Sequence, residues 1–239
     1  MDVKRGDSGD VLGTRIDVET YESATERAVD WARRGEVACI AAANTHLVSE
    51  AYAEVLSGFD LVLPDGMPLV WALQLDGHEI SDRVYGPYFM EHVIRHSPGG
   101  MKHYFFGGTD ECLSALRASV QRLNQDAQIV GMVSPPFGRW DADTEAKLIQ
   151  EINDSKPDFV WVALGGVKQE NWIAANRHRF SRGVFLAVGD AFVLLAGLRG
   201  YAPAWMQRNG LTWVYRLVQE PRRLMGRYLT NNSRFMAAF

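Results

Sequence analysis

Polar side chains that could do chemistry gather where short apolar runs of this chain stop: Asn44, Asp65, Arg83, Lys168, Gln169, Glu170 and Asp190. A carboxylate in a partly closed crevice can take the proton of a hydroxyl as that hydroxyl attacks. Arginines and helix N-termini can hold a leaving diphosphate, because negative charge grows there in the transition state. Together these groups suit transfer from a nucleotide-activated donor, and spacing alone does not name the donor. Asp65 is the central candidate. It lies in FDLVLPDGMPLVW, residues 59–71, where Leu61–Val62–Leu63 reads as a strand stopped by Pro64 and Gly66 opens a helix. An aspartate at that place is either a group for chemistry at a strand end or an N-cap of the next helix, and spacing leaves both open.

The elements that must position these residues alternate. Apolar runs at 37–43, 61–63, 101–106, 127–133, 159–164 and 184–188 read as strands, and helices at about 20–34, 45–57, 67–77, 87–96, 110–124, 141–155 and around Asn171–Trp172 separate them. Residues 1–10 read as a flexible lead, 11–18 as a small strand or hairpin, and Pro135–Pro136 as the start of a solvent-facing loop. Short connections between alternating elements predict an α/β fold with a doubly wound, largely parallel, Rossmann-like sheet. Right-handed crossovers then bring five strand ends to one rim: Asn44, Asp65, Gly107–Gly108, Gly165–Gly166 and Gly189–Asp190. Glycines there serve tight turns, and five such turns together predict a nucleotide or phosphate crevice lined by helix N-termini.

With 239 residues and 47% hydrophobic composition the chain can bury a substantial core. Cys39 and Cys112 suggest neither a disulfide framework nor a zinc site, and a reducing compartment is expected. No apolar run approaches a membrane span and the first ten residues lack a signal-peptide core, so the expected location is cytoplasmic. Neither a Walker A loop nor a GxGxxG fingerprint is present, which argues against an ATPase or a nicotinamide-dependent oxidoreductase. His92 and His96 have metal-ligand spacing without further ligands, and no metal is assigned. Charge is uneven: residues 199–239 carry seven arginines and one acid, +6, against −10 in residues 1–198. The acidic body argues against nucleic acid.

VLPDGMPLVWAL, RVYGP, HYFFGGT, SPPFG, KQE followed by Trp172, and the stretch from Ala202 through WMQRNGLTWVYRLVQEPRRL to RYL resemble the WecG/TagA/CpsF family of bacterial glycosyltransferases, from about Val11 to Phe235. The resemblance implies transfer of a sugar from a UDP-activated donor to an undecaprenyl-diphosphate-linked saccharide during assembly of surface polysaccharide or wall teichoic acid. It also implies inversion, no metal or other cofactor, and a C-terminal appendage that reaches the inner face of the plasma membrane. Carried over by motif, Asp65 becomes the general base and Arg83 a ligand of acceptor or phosphate. Asn44 would sit by donor or acceptor and Gln169 by the donor sugar, on a rim with Gly107, Gly108, Gly165, Lys168, Gly189 and Asp190. Arg208, Arg216, Arg222, Arg223 and Arg227 would meet the lipid diphosphate or anionic headgroups.

The chain departs from the family pattern at Ala42, Val167 and Val193, where threonine, proline and aspartate are usual, and it places an acid at Asp190 instead. Those departures motivate an alternative, a sugar-nucleotide-binding or scaffolding homologue without catalysis. The expected organisation is a glycosyltransferase core over 1–198 and a helical, membrane-associating appendage over 199–239. That tail mixes arginines with aromatic and apolar residues, the composition of an interfacial helix, and equally of helices packed on the body. Self-association into a homo-oligomer stays open.

Overall fold

The computed structural model describes residues 6–49 and 53–221. Six strands form one parallel sheet: β3 (Val37–Ala43), β4 (Leu61–Pro64), β5 (Lys102–Gly107), β6 (Gln128–Val133), β7 (Phe159–Ala163) and β8 (Gly183–Ala187), in the order β4-β3-β8-β7-β5-β6. Every pairing between neighbours is parallel. All carboxyl ends therefore lie along one edge, as the alternation of elements predicts.

The apolar runs are continuous because both faces of the sheet are covered. Successive residues point to opposite faces, so β8 sends Val184 and Leu186 into one core and Phe185 and Ala187 into the other. The first of these cores is closed by α1 (Tyr21–Arg34), α5 (Gly86–His96), α6 (Asp110–Leu123) and α9 (Ala191–Leu195). The second is closed by α2 (Thr45–Ser49), α3 (Ala53–Ser57), α4 (Met67–Leu75), α7 (Ala142–Ser155) and α8 (Lys168–Asn176). This is the doubly wound α/β arrangement. Local chemistry sets the helix ends: Thr20 and Ser23 form a capping box on α1, and Thr109 and Asp141 cap α6 and α7.

The expected lead through residue 10 ends earlier, at Ser8. β1 (Ser8–Val11) and β2 (Thr14–Asp17) form an antiparallel hairpin whose buried Asp17 carboxylate accepts the Val62 N–H at 2.7 Å. An otherwise unpaired donor on edge strand β4 is thus satisfied, which ties the lead to the body. Beyond Leu198 the chain forms α10 (Ala204–Arg208) and α11 (Thr212–Gln219), which lie against the carboxyl-end rim.

Candidate active site

Asp65 follows β4 directly, and its backbone N–H donates to the Ala43 carbonyl at 2.7 Å, extending the ladder by one step. It does not cap the helix that follows. The N-cap of α4 is Gly66, and no side-chain cap bond is made there. Asp65 Oδ1 instead accepts the Gly86 N–H at 2.6 Å, satisfying an orphan donor at the start of α5. Gly86 also packs closely on the end of β3: a Cβ there would lie 3.3 Å from Ala42 Cβ, tighter than ordinary contact, and 3.5 Å from Asp65 Oδ1. Burial holds the Asp65 pKa above the ordinary carboxyl value, while the Gly86 N–H, Arg83 and Arg216 pull against that rise.

Arg83 is buried beside this carboxylate, with its guanidinium 4.5 Å from the centre of the Tyr85 ring. It donates to Thr212 Oγ1 at 3.2 Å and Gln207 Oε1 at 3.5 Å, which joins the rim to α11 and α10. Gln207 continues to Tyr88 Oη at 2.9 Å, and Tyr88 stacks on Tyr201 at 5.0 Å. Asp190, at the end of β8, pairs with Arg199 at 2.7 Å and with Arg216, and Arg199 also holds Glu220 at 2.7 Å. Arg208 is exposed. Arg222, Arg223 and Arg227 lie outside the described residues.

On the neighbouring strand ends the polar groups are more fully occupied. Asn44 Oδ1 accepts from His46 N at 3.1 Å and Leu47 N at 3.3 Å, so its carbonyl caps α2. The Gln169 carboxamide is engaged at both ends, by Gly189 N at 3.2 Å and by Glu170 Oε1 at 2.9 Å. It fixes the turn that carries Asp190. Lys168 reaches back to the Gly138 carbonyl at 2.7 Å and lies 4.5 Å from the centre of the Trp140 ring, tying the SPPFG loop to α8. Gly107 has no room for a side chain, since a Cβ there would meet the Ala163 carbonyl oxygen at 2.2 Å. Gly108 donates to that same carbonyl at 3.2 Å, and Gly165 lies in the turn that leads to α8.

The strand ends thus bring Asp65, Arg83 and Asp190 together with residues that motif spacing did not single out, namely Tyr21, Tyr85, Arg199, Gln207 and Thr212. Tyr21 Oη accepts the Tyr85 N–H at 2.9 Å. Tyr85 was legible inside RVYGP, and Arg199 only as part of a basic tail. Of the three departures, Ala42 lies beneath Gly86 on the Asp65 side, while Val167 and Val193 pack at the edges of the two cores. His92 and His96 are 4.0 Å apart, with His92 bonded to Thr25 and His96 to the His92 carbonyl.

A carboxylate at a strand end, arginines converging beside it and glycine turns along the same rim are groups that can take up a proton and hold a phosphate. Residues 9–239 match the family model described as the glycosyl transferase WecG/TagA/CpsF family. A Bacillus spizizenii protein named N-acetylglucosaminyldiphosphoundecaprenol N-acetyl-beta-D-mannosaminyltransferase is 28% identical over 213 residues, 87% of this chain and 81% of that protein. A Bacillus subtilis protein of the same name is 27% identical over 171 residues, 71% of this chain and 65% of its own length. One from Staphylococcus aureus, again of that name, is 25% identical over 183 residues, 76% and 69% of the two chains. With the match running through the hairpin, the sheet and the C-terminal segment alike, the chain belongs to the WecG/TagA/CpsF family of glycosyltransferases.

Proposed function

We propose that the chain transfers an N-acetylhexosamine, with inversion, from a UDP-sugar to a saccharide linked to undecaprenyl diphosphate, and that Asp65 is the general base. The observation that carries this reading is the placement of Asp65. Its Oδ1 is fixed by Gly86, and among the described residues no hydrogen bond engages Oδ2, which is left to take a proton. The acceptor hydroxyl attacks the anomeric carbon, its proton passes to Asp65, and the bond to the diphosphate breaks with the electron pair leaving on UDP. A raised pKa suits this task, because it makes the carboxylate a stronger base than an exposed aspartate. Arg83 and Arg216 supply positive charge beside the departing diphosphate. In this reading the arginines carry that role without a metal.

The names of the relatives favour an N-acetylmannosamine donor and an acceptor ending in N-acetylglucosamine diphosphate. No helix among the described residues is long and apolar enough to cross a membrane. Access to a lipid-linked acceptor is therefore assigned to the C-terminal segment, whose Trp205 and Trp213 are exposed beside Arg208. The test is UDP release and product analysis with a panel of UDP-sugars and a short-chain N-acetylglucosamine-diphosphate lipid. A β-linked disaccharide lipid is expected. Absence of UDP release above hydrolysis with every donor would overturn the reading in favour of a sugar-nucleotide-binding protein.

A further inference from the structure

Consecutive N–H groups at the start of α5 are held from different parts of the chain. The Val84 N–H donates to the Pro64 carbonyl at 2.9 Å, the Tyr85 N–H to Tyr21 Oη at 2.9 Å, and the Gly86 N–H to Asp65 Oδ1. Tyr85 is the N-cap of α5 and makes no side-chain cap bond, so these outside partners set the entry to the helix. The Arg83 guanidinium rests against the Tyr85 ring in the same loop. Tyr21 thus brings α1 into contact with the loop that carries both Arg83 and the donor to Asp65.

Tyr21 is placed by local sequence. It is the first residue of α1, directly after Thr20, whose capping box with Ser23 fixes the helix start, and its ring lies 6.0 Å from that of His92 on α5. Tyr85 and Gly86 are buried. Without the Tyr21 hydroxyl the Tyr85 N–H loses its acceptor, and the loop must turn to find another. Adjacent peptide planes meet at one Cα, so that turn carries the Gly86 N–H away from Asp65. Burial raises the Tyr21 pKa above its ordinary value, which keeps the hydroxyl neutral: it serves Tyr85 as an acceptor and is not a second base.

We propose that Tyr21 is a positioning residue, which by holding the Tyr85 N–H fixes the peptide that in turn fixes the Asp65 carboxylate. Its effect on turnover rests on the reading of Asp65 as general base; the relay of hydrogen bonds does not.

The test compares full-length Tyr21→Phe, which keeps the ring and removes the acceptor, with Thr25→Val. The latter removes the 2.9 Å contact between Thr25 and His92 from the same α1–α5 interface and leaves the Tyr85 N–H held. Amide exchange read by NMR should quicken about tenfold at Tyr85 and Gly86 relative to the rest of α5 in Tyr21→Phe, and not in Thr25→Val. A second readout is the rise in melting temperature caused by Asp65→Asn at pH 7. In the Tyr21→Phe background that rise should be about 3 °C larger, because the charged carboxylate loses more than a neutral amide when the Gly86 N–H moves off, and the extra rise should vanish below the ordinary value of 3.8. The other groups acting on Asp65, namely Arg83, Arg216 and the Tyr85 ring, are the same in both backgrounds. UDP release should slow about tenfold in Tyr21→Phe, with KM little changed, and Tyr21→Phe should add no further loss to Asp65→Asn.

Unchanged exchange at Tyr85 and Gly86 overturns the relay. An equal Asp65→Asn effect on melting in both backgrounds, or a rate loss in Thr25→Val as large as in Tyr21→Phe, overturns the positioning role. Tyr21→Leu, which also lacks the acceptor, serves if circular dichroism shows that Tyr21→Phe does not fold. Exchange and melting are read without turnover, so their failure is distinguishable from a failure of glycosyl transfer.

Discussion

The carboxylate of Asp65 and the backbone N–H of Gly86 meet at 2.6 Å, so the residue after β4 closes the first turn of α5 and not of the helix that follows it. Of the two roles that sequence spacing left open, the cap of the next helix is thereby excluded: the N-cap of α4 is Gly66, and Asp65 satisfies the N-terminus of α5 instead. The N-terminal N–H favours its charged form while burial opposes it, and burial prevails.

Asp65→Asn should keep the Gly86 bond through its amide oxygen and lose the base. Turnover should fall by about 10²- to 10⁴-fold, the range of general base catalysis, with an unchanged circular dichroism spectrum. A second consequence concerns stability. The folded-state pKa lies above the ordinary value of 3.8, so the wild-type fold loses stability as pH rises from that value through the folded pKa. The melting temperature of Asp65→Asn should therefore exceed that of the wild type at pH 7, and the gap should close as pH falls below the ordinary value. An equal or lower melting temperature at pH 7 would contradict the assignment of burial as the dominant effect.

Gly86→Ala tests the close packing of Gly86 on Ala42. Its methyl group would sit 3.3 Å from Ala42 Cβ, a few tenths of an ångström too close, and in ordinary contact with Asp65 Oδ1 at 3.5 Å, so relieving the Ala42 contact shifts the Gly86 N–H that holds the carboxylate without unfolding α5. A displacement of a few tenths of an ångström should reduce the rate by about tenfold, less than the hundredfold that follows a full ångström. Ala42→Gly removes the nearer obstacle and should restore part of the loss in the double variant. A double-mutant cycle on the rate reads this coupling, and strict additivity would exclude the contact.

The sheet and its rim were legible because they rest on local pattern. Strands such as β8 read as apolar runs because both faces are covered, and helices such as α1 are bounded by a Thr20 cap and Gly35 at the far end. Asp65, Arg83 and Asp190 were visible for the same reason, since each stands where an apolar run or a motif breaks. Their partners were not. Gly86 lies 21 residues beyond Asp65, and Arg216 lies 26 beyond Asp190, distances bridged only once the crossovers have placed α5 and α11 on the rim. Gln169 was legible as a polar group at a strand end. That both ends of its amide are spent on Gly189 and Glu170 depends on how α8 meets β8.

Glu170 provides a prediction of its own. It is 2% exposed, its Oε2 has no hydrogen-bond partner among the described residues, and burial pushes its pKa up to about 7, opposed by the hydrogen bonds from Gln169 and from its own backbone N–H. The carboxylate is therefore costly in the folded state. Relative to an ordinary glutamate at 4.5, the fold loses stability as pH rises from 4.5 through about 7. Glu170→Gln keeps an acceptor for Gln169 and carries no charge, so at pH 8 it should be more stable than wild type by about 3 kcal/mol, with the difference gone below pH 4.5. Urea unfolding at the two pH values measures this directly.

The exposed apolar surface of α10 and α11 leads to a prediction about where the protein works. Trp205 is 61% exposed, Trp213 39% and Val218 76%, and on α4 Trp71 and Leu75 are exposed at 45% and 80%. These elements adjoin, since a Cβ on Gly210 would lie 2.9 Å from the Trp71 ring. Exposed tryptophans beside an arginine fit the headgroup layer of a bilayer, where the ring buries its body and keeps its N–H wet. Sedimentation with phosphatidylglycerol vesicles should recover the wild-type protein at low salt and release it as salt is raised. Arg208→Gln should weaken that binding by about 1 kcal/mol, with the effect lost on neutral phosphatidylcholine vesicles. Trp205→Ala combined with Trp213→Ala should weaken binding to both kinds of vesicle, because the apolar contribution does not depend on headgroup charge. If the paired tryptophan variant sediments as well as wild type, these rings are not the contact surface and access to lipid must run through another part of the chain.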